Sequence, residues 1–232
     1  MSEEGKTLAE LDVKPGDVVK LDAGGQAALD RRRGQDFVAS LVARGVAVKL
    51  VVTGPPGPHN VANAGYAREL DELRRSLGVS RAAVFLYLER DGRGRPLRAS
   101  DRVMADLYAL SDALLFPSKQ EGFGIPLIEA GLARAAIFCS DIPPSREAAG
   151  DDAHYFALEA SPHDVADMIE AWMRSDSAYR MRQRVLRAYT WQAVYTRYIE
   201  PLLTSVVCEA TQAATADGSP TLDEKGGARR HG

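Results

Sequence analysis

Cysteine is scarce. Only Cys139 and Cys208 occur among 232 residues. Two thiols cannot form a disulfide framework, and their number favours a reduced intracellular setting. Aromatic residues are also few, at 7%. No apolar run approaches the ~20 residues that cross a bilayer. The opening segment MSEEGKTLAEL is acidic and lacks the apolar core of a signal peptide. Neither sign of charge dominates. The formal net charge of −3 argues against broad electrostatic attraction to nucleic acid or lipid. There is no Asp-x-Asp pair, and His59, His154, His163 and His231 are scattered, so no metal site is expected. What remains is a cytoplasmic protein, free or peripheral to a membrane. Its hydrophobic content of 45% is enough for one large core or two small ones.

Strand and helix signals alternate along the chain. VAVKLVVTG (Val46 to Gly54) reads as a buried strand. A helix follows, capped by Asn63, with Tyr66, Leu70, Leu73 and Leu77 on one face and Gly78 as its stop. Ala82 to Leu88 is a second strand, and Glu89 to Ser100 is a polar, glycine-rich loop. Ser100 caps a helix that turns Val103, Leu107 and Leu110 inward. Asp112 to Ser118, Ala135 to Asp141 and Ala153 to Leu158 are three further strands. Ser161 and Asp164 form a capping box for a helix buried through Val165, Met168, Ile169, Trp172 and Met173. The organisation expected is an N-terminal extension (1–17), a Rossmann-like domain (18–203) and a disordered tail (204–232). Buried strands alternating with helices predict a doubly wound parallel sheet, with ligands beyond the carboxyl ends of its strands.

PSKQEGFGIPLIEAG (Pro117 to Gly131) lies at that edge. Gly122 and Gly124 flank Phe123 and allow close approach of backbone amides to a ligand. The helix that starts near Ile125 points its positive end at the same place, which suits phosphate. Glu129, about one turn inside it, is a fitting acceptor for a ribose diol. Glu121, ahead of the turn, is placed for hydroxyls of a second sugar. Two polyols with phosphates between them describe a nucleotide-sugar.

EGFGIPLIEAG resembles the E-x7-E signature of retaining GT-B glycosyltransferases, family 4 in particular (glycosyltransferase group 1). DLYALSDALLFPS, FCSDIPPSRE, LVVTGPPGPHN and YTWQAVYTRYIEPLL resemble its flanking segments. The resemblance implies the C-terminal, donor-binding half of a GT-B fold. It implies a hexosyltransferase-type enzyme that uses a UDP- or GDP-linked sugar, with retention and without a metal cofactor. Glu121 would serve the transferred sugar as the catalytic residue. Gly122, Phe123, Gly124 and Ile125 would offer the donor their backbone, and Glu129 would hold its ribose. Arg33 stands where the family has a basic residue facing the pyrophosphate, Glu147 matches a recurrent glutamate, and Arg31 and Arg32 read as surface charges. The nucleobase would sit near the end of the Ala82–Leu88 strand, beside the Glu89–Ser100 loop.

The chain departs from the family in two places. Too few residues precede Val46 for the family's acceptor domain, and Gly24 to Asp30 holds no counterpart of a second basic residue ahead of Arg33. Three readings stay open: a donor half that works with a separate acceptor domain, a degenerate remnant, or an interaction module. Trp191, Tyr195 and Tyr198 form an aromatic stripe whose exposure would favour a homo-oligomer.

Overall fold

The structure, a computed structural model, describes residues 18–21, 31–53, 62–90, 94, 97 and 99–216. Six parallel strands form one sheet in the order β3-β2-β1-β4-β5-β6. They are β1 (Val18–Leu21), β2 (Lys49–Val52), β3 (Ala83–Phe85), β4 (Ala113–Phe116), β5 (Ala136–Ser140) and β6 (His154–Phe156). Connections from β1 run outward through β2 to β3, and those from β4 run the other way. The two neighbours β1 and β4 therefore flank the topological switch point. β4 (ALLF) is buried along its whole length, and β2 and β5 are buried after their first residue. These are the continuous apolar runs that a sheet covered on both faces requires.

The strands are shorter than the sequence suggests, because the flanking residues have turned away into loops and caps. β1 is absent from the sequence reading, although it is central in the sheet. VVKL is too short to show a period, and KPGD before it looks like a turn.

Helices α1 (Arg31–Ala43), α2 (Ala62–Ser76), α3 (Asp101–Leu110), α4 (Ile125–Leu132), α5 (Pro143–Ala149), α6 (Pro162–Ser175) and α7 (Ser177–Ala188) follow the strands. Local chemistry sets their ends. Gly78, at φ 70°, closes the turn after α2, with Val79 N–H on the Arg74 carbonyl at 3.0 Å. Asn63 falls inside α2 and is not its cap; the helix begins at Ala62. Ser100 accepts from Val103 N–H at 3.4 Å. The Ser161–Asp164 box forms in both directions, at 3.2 and 3.3 Å. α1 packs on α6, and Arg44 fastens the pair through Asp167 (2.6 Å) and Glu170 (3.0 Å).

The main core runs through the sheet and includes Phe37, Leu50, Phe85, Leu114, Phe138 and Ile169. Cys139 is fully buried in it, and burial pushes its thiol up to about 12, so it stays protonated.

The chain divides into two compact units, Met1–Gln183 and Arg184–Gly232. In the second unit, α8 (Trp191–Val194), a π-turn (Tyr195–Ile199) and α9 (Glu200–Ala216) follow one another. α9 continues well past Thr204, where composition places the start of a disordered tail. Its sequence, EPLLTSVVCEATQAATA, is rich in alanine, the best helix former. Trp191, Tyr195 and Tyr198 are exposed, at 86%, 43% and 55%. Among the described residues, no helix is long and apolar enough to cross a membrane.

Candidate functional site

β4 ends at Phe116, and the chain turns through Pro117–Gly124 into α4. This turn is the carboxyl-edge exit of a strand at the switch point, where open α/β sheets bind ligands. Ser118 is fully buried under it. Its Oγ stands 2.9 Å from the Gln120 carbonyl and 3.0 Å from Glu121 Oε1. The single hydroxyl proton serves these two acceptors, so Glu121 is held by a fixed donor below the turn.

Gly124 is the N-cap of α4, at φ 78° and ψ 37°, with no side-chain cap. A Cβ there would stand 3.2 Å from Leu127 Cδ1 and 3.4 Å from Ala148 Cβ. Gly124→Ala is therefore expected to cost about 1–2 kcal/mol, mostly backbone strain, readable in a urea melt. At Gly122 a Cβ would meet nothing within 4 Å. The fold does not require glycine at that position, whereas close approach of an outside molecule would. Gly122→Ala should leave stability within about 0.5 kcal/mol of the parent.

No hydrogen bond joins the amides of Gly122, Phe123, Gly124 or Ile125 to another described backbone group. Glu129 is exposed on α4, one helical repeat beyond Ile125, which is also exposed. Glu121, the four amides and the start of α4 thus follow one another through the turn, with Glu129 on α4 beyond them. Glu147, also exposed, lies on α5. α5 packs beside this turn through its Ala148.

Arg33 opens α1 and is committed to the β6–α6 loop. Its Nη1 donates to the Leu158 carbonyl and its Nη2 to the Ala160 carbonyl, with the guanidinium over Phe37. Arg32 is exposed and pairs with Glu69. Arg31 corrects the sequence reading: it is buried, not a surface charge, and its Nε has no partner among the described residues. The i, i+4, i+7 row Arg31, Gln35, Val38 is the inward face of α1, and that spacing was the available signal. Among the described residues, neither amide atom of the fully buried Gln35 has a partner, and neither does the buried Tyr87 hydroxyl. Burial raises Tyr87 to about 12, against a nearby Arg31 charge.

One described cluster has metal-compatible spacing: His163, Asp164 and Asp167, all exposed. Its contacts explain it otherwise. Asp164 accepts from Ser161 N–H, and Asp167 pairs with Arg44 and His163. His59, Gly24–Asp30 and most of the loop after Arg90 lie outside the described residues.

Residues 27–188, more than half of the chain, match the family model described as "Glycosyl transferases group 1". The chain belongs to that family. Over 74 residues it is 47% identical to the serotype-specific mannosyltransferase WbdA of Escherichia coli. That alignment covers 32% of this chain and 9% of the relative, so the chain matches only a small part of that larger protein. The fold matches the C-terminal domain of the group 1 family protein LpcC from Francisella tularensis. The TM-score is 0.56 at 15% identity, over 85% of this chain and 94% of that one. It also matches Anabaena HepE in complex with UDP and glucose, with a TM-score of 0.55 at 16% identity, over 92% of this chain and 53% of HepE. The group 1 chain is thus a Rossmann-like domain of the GT-B kind.

Proposed function

We propose that this chain is the donor-binding half of a retaining, family 4 glycosyltransferase that uses a UDP- or GDP-linked hexose. The observation that carries the reading is the turn itself. A left-handed Gly124 opens α4 at the switch point, between a Ser118-anchored Glu121 and an exposed Glu129. In this reading Glu129 accepts from the ribose diol. The Gly122–Ile125 amides and the start of α4 receive the diphosphate, and Glu121 accepts from hydroxyls of the transferred sugar. Negative charge that develops on the departing diphosphate is met by those amides and the helix N-terminus. Three arginines stand in the first turn of α1 with no acidic residue among them, where the helix dipole disfavours cations. Glu69 meets Arg32, and the Leu158 and Ala160 carbonyls meet Arg33; a bound diphosphate would offset what remains of that cost. Acceptor recognition falls to another domain or chain, which aligns the acceptor and closes the cleft to water. The mannosyltransferase relative and the UDP- and glucose-bound neighbour support hexosyl transfer from a nucleotide-sugar.

Glu121→Ala separates this reading from a structural role. Calorimetry with UDP, GDP and their hexose conjugates is expected to give nearly unchanged diphosphate binding and about 10-fold weaker conjugate binding, the loss of one charge-assisted hydrogen bond. Equal losses for diphosphate and conjugate would mean that Glu121 only holds the turn together.

A further inference from the structure

Arg134 is the only described residue other than glycine with a positive φ, at 60°. It closes α4, with its own N–H on the Gly131 carbonyl and Ala135 N–H on the Ala130 carbonyl, both at 3.0 Å. Glycine takes this position without cost, and an arginine does not. Strain of this kind directs attention to what the side chain does.

Arg134 lines a cavity of about 990 Å³, together with Asp112, Asp152, His154, Trp172 and Asp176. Asp112 precedes β4, Ala136 opens β5 and His154 opens β6. The cavity therefore sits at the amino edge of the sheet, at the opposite end of β4 from Glu121. Its volume is at the upper end of the range for small-molecule sites.

The chemistry of the lining selects a ligand class. His154 lies flat on Phe138, with centroids 4.7 Å apart and planes at 16°. It remains exposed and is part of the cavity lining. Asp112 is neutralised by Arg182 at 3.1 Å. That leaves Asp152, and Asp176, whose Oδ1 already accepts from Tyr179 N–H at 2.6 Å, beside the positive charge of Arg134. An anion meets net repulsion there, and an apolar ligand would strand the charges. A polyhydroxylated neutral ring suits all of it, with hydroxyls that donate to carboxylates and accept from a guanidinium and an apolar face for the imidazole. We propose that the amino-edge cavity is a second carbohydrate site, separate from the donor turn, that holds a neutral sugar unit of a glycan. The proposal rests on the cavity alone and not on the donor reading.

The test uses the full, isotope-labelled chain titrated with mannotriose, maltotriose and inorganic phosphate, and follows the His154 ring and Arg134 side-chain resonances. A neutral trisaccharide is expected to shift both. Arg134→Gly is expected to weaken that binding by roughly 10-fold, the loss of one charged hydrogen bond, while it raises the melting temperature by a few degrees. Asp152→Ala should weaken binding without that gain. UDP or GDP binding at Glu129 should be unchanged in both variants. Shifts with phosphate and not with sugar would overturn the proposal, as would no shift at millimolar concentration. A destabilised Arg134→Gly variant, or one with unaltered affinity, would overturn it too.

Discussion

Alanine in place of Glu129 is expected to weaken nucleoside diphosphate binding by about 10- to 150-fold. The contact at stake is a carboxylate that accepts from two ribose hydroxyls, a charge-assisted pair worth roughly 1.5–3 kcal/mol. Glu129 is exposed on α4. Its removal should leave the melting temperature nearly unchanged, since exposed substitutions away from special features stay within about 0.5 kcal/mol. Glu129→Gln should lose less, because its amide oxygen still accepts one bond. Loss of binding with an intact fold assigns Glu129 to the ligand. Unchanged affinity for both UDP and GDP would remove Glu129 from the site.

The largest expected loss of stability is at Phe138, on β5 and outside the turn that leads into α4. Its ring is fully buried in β5. His154 stacks on one side at 4.7 Å, and Trp172 meets it edge-on at 5.6 Å. Phe138→Ala removes the ring from between two strands and α6, and should cost about 3–5 kcal/mol. That is a large share of the ~5–15 kcal/mol available to a typical domain. Phe123, on the turn ahead of α4, is 60% exposed, and its alanine variant should change stability by about 0.5 kcal/mol or less. The two phenylalanines thus separate fold from site. A urea series in which Phe123→Ala costs more than Phe138→Ala would contradict the packing described.

Much of this was legible because the signals are local. Short apolar runs marked five of the six strands, and Ser161–Asp164 announced its capping box. The turn ahead of α4 was legible because FPSKQEGFGIP runs from a strand end through two glycines to Pro126 in the first turn of a helix. What escaped depended on tertiary context. β1 is four residues with no period to read, and only its neighbours β2 and β4 make it central. Arg31 looked like one charge in a basic run. Its burial follows from the pitch of α1 on the sheet, which turns positions 31, 35 and 38 inward. The reach of α9 to Ala216 was hidden by small and polar residues, which read as a tail although alanine favours the helix. Arg134 gave no signal at all, since a positive φ at a non-glycine residue cannot be read from residue type.

The most direct measurement is a crystal structure of this chain grown with UDP or GDP. The account predicts the diphosphate at the Gly122–Ile125 amides and the ribose hydroxyls on Glu129, at the carboxyl edge between β1 and β4. A nucleotide bound elsewhere on the chain, or a Glu129 that faces away from it, would contradict the account.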